Sequence, residues 1–466
     1  MTARWRVRKG ARCAALAFVM TFASTAVRGA DVAADAPAAL LVYPYVTADQ
    51  GNGVDTLIQL SNTADVPVTV RCFYENTTPL CTDGRAGETC FPVSTACSGT
   101  CVSQGTIREF TITLTGQQPL GWRASRGRDI LPLGDIGQSG TPMAIPPAAD
   151  TAFVGTLRCV AVDASSPSAR NVLIGQATIE RYQTTPTPSF DAASYNAIGI
   201  PGIAGAVNDD SQLFVGGPTA EYSGCPNIAV LHHFFDGALL TATAHADAAE
   251  VSTTLILVPC TRDLAQPSSV PGLVVQFLVT NEFAQNFTTA LPLGTQYIGR
   301  LSAIDSPTPE RSIFSAAIAG SLTGQTSIQG LPVGDTSGGG VLAVAIETHR
   351  DPNGSGRVSS AAAAVHAGGE KASADILTLP TPATVPPSPF PPTATATSTA
   401  VPSPTVRPTT MAVPTRTATA VASATLKATV AMDSDGCMMT SPQRESTPLA
   451  LLLVPLSLLT RRRRIR

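Results

Sequence analysis

Apolar and polar residues alternate position by position in one segment after another of this chain, and that pattern leaves few folds open. Val66, Val68, Val70, Cys72 and Tyr74 alternate with Pro67, Thr69, Arg71 and Phe73. Phe110, Ile112 and Leu114 alternate with Thr111, Thr113 and Thr115. Phe153, Gly155, Leu157 and Cys159 alternate with Val154, Thr156, Arg158 and Val160. Successive side chains of a strand point to opposite faces, so a period of two with β-branched residues marks half-buried antiparallel strands. Between the runs lie Asn62-Thr63-Ala64-Asp65, Gly116-Gln117-Gln118-Pro119 and Asp163-Ala164-Ser165-Ser166-Pro167, all turn chemistry. No segment before residue 375 keeps a helical period over about three turns. The body is expected to be all-β.

The chain also repeats itself. Residues 54–121 read VDTLIQLSN, turn, VPVTVRCFYEN and, after a Cys-rich excursion, FTITLTGQQPLG; residues 251–294 read VSTTLILVPC, turn, GLVVQFLVTNEF and then FTTALPLG. Two copies of one motif predict two tandem antiparallel β-sandwich domains, immunoglobulin-like or jelly-roll, of about seven strands each. The expected boundaries are 36–185 and 223–379, with 186–222 as a Gly-rich connector (NAIGIPGIAGAVNDD lies inside it). The alternative is one large sandwich with that connector as an internal loop.

Composition shifts at Leu379. Residues 380–432 are mostly Pro, Thr, Ser, Ala and Val, which cannot pack a core and favour extended polyproline-like chain. This reads as a disordered Pro/Thr stalk; at about 3 Å per residue, ~50 residues reach on the order of 150 Å. At the other end, residues 1–30 have the parts of a secretory signal peptide. A basic n-region (Arg4, Arg6, Arg8, Lys9, Arg12) precedes the apolar run Cys13–Ala23, and Ser24-Thr25-Ala26 offers a small-residue cleavage site.

The C-terminal segment 433–466 has three parts in order: Asp435-Gly436-Cys437, the apolar run Leu449–Leu459, and the basic cluster Arg461–Arg464 with Arg466. A membrane-spanning helix needs about 20 apolar residues, so this run serves as a brief stop whose arginines stay on the cytoplasmic side. The three parts together resemble the bacterial C-terminal sorting tags of the MYXO-CTERM and rhombosortase type. The resemblance implies cleavage beside Gly436 and Cys437 by a processing protease, after which the Cys437 thiol holds the chain at the membrane. Export machinery and that protease are then partners, and the location is the cell surface or outer membrane, or release beyond it.

Cys13 belongs to the leader and Cys437 to the tail. Eight cysteines remain: Cys72, Cys81, Cys90, Cys97, Cys101, Cys159, Cys225 and Cys260. An even number in an exported chain reads as disulfides, with 105 possible connectivities. Cys81 to Cys101 lies in a polar excursion expected to be a stapled loop, and the isolated Cys225 and Cys260 are expected to pair. Cys97-x3-Cys101 has passable zinc spacing, but no second Cys pair or nearby His completes the set.

The formal charge of −3 understates the acidity of the body. Ten of the 30 basic residues lie in the two terminal clusters, leaving 20 against 33 acidic ones. This excludes nucleic acid as an expected partner. Motifs of chemistry are weak. His232 and His233 neighbour Asp236, His245 and Asp247, but adjacent strand residues face opposite ways, so the two histidines do not share one metal. Gly334-Asp335-Thr336-Ser337-Gly338-Gly339 carries a threonine that displaces its serine from a protease-like turn. Asn208-Asp209-Asp210 lacks the alternating acids of a calcium loop. Gly199, Gly202 and Gly205 follow no strand–helix pattern, so no cofactor is expected. The expected role is structural or adhesive and not catalytic, with a glycan or protein surface as ligand. The alternatives are a secreted hydrolase with a loop-built site and an assembly subunit with an open edge strand.

Overall fold

Strand follows strand through the molecule, as the alternation requires. The computed structural model describes residues 32–381 except 78, 83–99, 104, 129–144, 151, 165, 184–188, 209, 242–247, 267–271, 335–337, 352–357 and 372–373. Among these residues the one α-helix is the four-residue Ala316–Ala319, capped by Ser315 and ended by left-handed Gly320. No helix among them is long and apolar enough to cross a membrane. The expected leader, most of the stalk, and the tail with Gly436 and Cys437 lie outside the described residues.

The first half contains β1 (Leu40–Ala48), β2 (Val54–Asn62), β3 (Val68–Asn76), β4 (Thr106–Leu114), β5 (Pro119–Arg123), β6 (Phe153–Asp163), β7 (Leu173–Gln183), β8 (Ser189–Asn196) and β9 (Ile198–Ile200). The second contains β10 (Pro226–Phe234), β11 (Ala248–Pro259), β12 (Leu273–Asn281), β13 (Asn286–Leu293), β14 (Tyr297–Arg300), β15 (Thr323–Pro332), β16 (Val341–Arg350), β17 (Val358–Ala364) and β18 (His366–Lys371). The main sheets of the first half run β9-β1-β6-β3-β4 and β8-β7-β2-β5; those of the second run β18-β10-β15-β12-β13 and β17-β16-β11-β14. Adding nine to each strand number of the first half yields the second. The sequence segments that align with each other, 54–121 and 251–294, place strands in the same slots, β2 to β4 and β11 to β13. All these ladders are antiparallel.

Each pair of sheets encloses an apolar cluster. Tyr43, Ile58, Val70, Tyr74, Leu157 and Tyr195 belong to the first, which also takes in Ile256, Val344 and Ile346 from the second half; Leu231, Leu255, Val275, Phe277, Ile328 and Ala343 belong to the second. A third cluster joins the halves: Leu40, Phe73 and Val160 from the outer face of the β1/β6/β3 sheet meet Val258, Leu342 and Leu377. Over it lies a small sheet in which Asp375–Thr378 sits between Gln212–Val215 and Arg262–Asp263. All described residues fall in one compact unit.

Two expectations change here. Each half has nine main strands among the described residues rather than about seven. The stretch 186–222, expected as a connector, is partly sheet: β8 pairs with β7, β9 with β1, and Gln212–Val215 with Asp375–Thr378. Two of the glycines there mark close packing. A Cβ on Gly199 would lie 2.8 Å from the Ala38 Cβ, and one on Gly202 would lie 2.6 Å from the Ala169 Cα. Glycine is used where backbones must approach closely as well as where a chain must bend.

Candidate binding face

The outward side chains of the larger sheet differ between the halves, although the strand order is the same. In the first half, Arg71, Phe73 and Glu75 of β3 stand beside Thr156, Arg158 and Val160 of β6. All six are buried. The Glu75 carboxylate lies between two guanidinium groups. Its Oε2 accepts from Arg158 Nη1 at 2.5 Å and from the Thr156 hydroxyl at 3.1 Å, and its Oε1 accepts from Arg262 Nε. Arg158 also donates to the Pro259 carbonyl at 3.3 Å. Burial lowers the Arg158 pKa, opposed by Glu75. Arg262 and Pro259 come from the second half, so this cluster is an internal tie, closed to solvent ligands.

The equivalent face of the second half is open. Strand β12 presents Gln276, Leu278 and Thr280; β15 presents Gln325, Ser327 and Gln329; β13 presents Thr288 and Ala290; and β10 presents Val230 and His232. Gln276, Leu278, Gln325, Thr288 and Ala290 are exposed. No Asp, Glu, Lys or Arg stands on this face of the four strands. The opposite side chains, Val275, Phe277, Val279 and Ile328, fill the core, which fixes the register because a slip of one residue would exchange the faces. The open face is therefore uncharged and mixes amides and hydroxyls with the exposed Leu278 and Leu331.

At one end it runs into a cleft of about 480 Å³ shared by His232, Thr280 and Gln325 with Asn281, Glu282 and Glu347. Polar groups here are engaged. Glu282 accepts from the Thr323 N–H at 3.0 Å and its hydroxyl at 2.6 Å. Glu347 Oε1 lies 2.6 Å from His349 Nε2. His233 is buried, with Nδ1 3.0 Å from the Phe234 carbonyl and Nε2 2.8 Å from the Thr326 hydroxyl. The carbonyl can only accept, so Nδ1 carries the proton; the Thr326 hydroxyl can serve Nε2 as donor or acceptor. Burial lowers the His233 pKa. His232 is exposed, so the adjacent histidines do face opposite ways. His245 and Asp247 lie outside the described residues.

The cysteines divide three ways. Cys72 pairs with Cys159 across neighbouring strands, and Cys225 with Cys260. Cys81 stands opposite Cys101 in the register of the hairpin Pro79–Thr82/Thr100–Ser103, and Cys90 and Cys97 lie outside the described residues. The two bridges place the folded body in an oxidising compartment. Cys225, Cys260 and Asp375 form the one group of potential metal ligands among the described residues, all within 4.8 Å, but both sulfurs are spent in the bridge. Asp375 is fully buried; its Oδ1 accepts from the Thr261 hydroxyl at 2.7 Å and the Gly340 N–H at 3.3 Å, while Oδ2 has no hydrogen-bond partner. Burial pushes its pKa up to about 6. Of the Gly334–Gly339 turn, 335–337 lie outside the described residues, as does Asp209. Asn208 Oδ1 accepts from the Asp210 N–H at 2.8 Å, an ordinary turn contact.

The sequence carried one faint signal of the open face: the polar alternates of β12 and β15 are uncharged, whereas those of β3 include Arg71 and Glu75. No protein-family model matches the chain, and no curated protein matches it. A crystal structure of a point mutant of the major pilin from Streptococcus pyogenes aligns over 73% of this chain and 96% of its own at 12% identity, with a TM-score of 0.13. A similarity at that score carries no argument about fold or function.

Proposed function

We propose that this chain is an exported, surface-anchored structural or adhesive protein without catalytic activity, built from two tandem sandwich copies. The stalk 380–432 lifts the body, and processing at Gly436-Cys437 ties it to the membrane. The open face of the second copy contacts an uncharged, hydroxyl-rich surface, a neutral glycan. The observation that carries this reading is the charge-free row of glutamines and hydroxyls on β12, β13 and β15, on a face whose counterpart in the first half is buried. Amides donate and accept at once, which suits sugar hydroxyls. A charged partner would instead call for charged groups on the face. The two disulfides support an extracellular setting. The hydrolase alternative would use the end cleft, but Glu282, Glu347 and His233 each hold a neighbouring protein group, which suits a wall better than a reacting set.

The test is co-sedimentation of the oxidised full chain with insoluble neutral, acidic and basic polysaccharides. Neutral material should retain it. The double variant Gln276→Glu/Gln329→Glu should weaken retention about tenfold or more, since each carboxylate would be desolvated without a partner. Retention unchanged in the variant, or confined to charged material, removes the reading. Mass determination of the mature chain tests the two ends: loss of the leader and of the residues after Cys437 is expected.

A further inference from the structure

The two halves have equivalent edge strands, β4 and β13, and they are defended differently. An unpaired strand edge offers a row of N–H and C=O groups to any second strand, and folded proteins blunt it with charge, shortness or cover. On β4, Arg108 pairs with Asp150 at 3.0 Å and Glu109 with Arg71 at 2.7 Å. The chain also detours between β3 and β4 through residues 77–105. Strand β13 has none of this. It is reached from β12 by the short turn Glu282–Gln285, and its eight residues, NFTTALPL, include no charge. Its one backbone blocker is Pro292, near the far end. Asn286, Thr288 and Ala290 are exposed. Among the described residues, no strand pairs with its outer side.

The other terminal strands of the numbered set carry a guard. Strand β9 spans three residues, and Gly199 at its centre exchanges both backbone bonds with Ala33. Strands β8 and β17 lie against each other, with the Ser360 N–H donating to Asp191 at 3.0 Å. Strand β5 ends in Arg123, which is paired with Glu180; β14 ends in Arg300; and β18 includes Glu370 and Lys371.

We infer that β13 is a self-association edge: two copies of this chain pair their Asn286–Leu293 strands antiparallel, joining two sheets into one. A second copy is the occupant because the pairing is self-complementary. In an antiparallel self-pair each side chain meets one from the same short strand, and here no like charges meet. Such a two-fold contact closes as a dimer. The inference does not depend on what the open face binds.

Sedimentation of the oxidised full chain over a concentration series tests this. The mass should rise to twice that of the monomer. Thr288→Lys/Ala290→Lys should return it to the monomer by placing like charges across the new ladder. Thr111→Lys on β4 should leave the dimer intact. Retention of the Cys225–Cys260 bridge and native Trp122 fluorescence establish that each variant is folded. A wild-type chain that stays monomeric overturns the proposal, even if it captures a strand of another protein. Association that survives the double variant overturns it too, and so do assemblies beyond the dimer that Thr111→Lys abolishes.

Discussion

Glu75 and Arg262, 187 positions apart, meet in an ion pair from which both side chains are withdrawn from solvent. Their contact closes the outer face of the first half against the second, and Arg158 shares the same carboxylate. Replacing Glu75 with Gln leaves two buried guanidinium groups without their counter-charge, so it should cost about 3–5 kcal/mol of stability. Replacing all three residues together with Leu or Met should be neutral or stabilising, because desolvation of the ions nearly cancels their attraction. Urea unfolding of both variants checks the pair of outcomes.

Asp375 should make the body less stable as pH rises. Its pKa in the fold is pushed from 3.8 to about 6 by burial. The fold therefore favours the protonated carboxyl. That stabilisation is complete below about pH 4 and is lost as pH passes through 6, a change of about 3 kcal/mol. In Asp375→Asn this component should vanish. The difference between wild type and variant in urea midpoint at pH 4 and pH 8 isolates it from other titrating groups.

The two bridges close chain segments of different length, with separations of 87 for Cys72–Cys159 and 35 for Cys225–Cys260. Loop-closure entropy predicts that removing the first pair costs about 4–5 kcal/mol and removing the second about 4 kcal/mol. Thermal unfolding of the double Ala variants measures both. Non-reducing peptide mapping should also recover Cys81 linked to Cys101, as their register implies.

Trp122 Nε1 donates to the Tyr74 hydroxyl at 2.6 Å inside the first core. Tyr74→Phe leaves that indole N–H buried and unpaired, which should cost about 1–3 kcal/mol. The other tryptophan, Trp5, belongs to the expected leader, so Trp122 emission reports the change directly.

The alternation of Val68 to Tyr74 and of Phe153 to Cys159 was enough to assign strands, because a period of two is a local property of the chain. The Cys225–Cys260 pairing was legible from isolation alone. The status of 186–222 was not: its glycines read as a linker, and only the neighbours Ala38 and Ala169 reveal why side chains are excluded there. The repeated strand pattern was legible in sequence over residues 54–121 and 251–294. Its extension to nine strands per half required the hydrogen-bond ladders, since pieces as short as Ile198–Ile200 carry no periodicity.

What the sequence determined by itself is the β character, the face each strand residue takes and the repeated order of elements, all set by interactions among near neighbours. What only the tertiary structure decided is which faces and edges remain open. Arg71 and Gln276 both read as outward polar residues, yet one is buried and the other meets water. The difference lies in what the rest of the chain lays over each sheet, through contacts such as Glu75 with Arg262 that local pattern does not encode.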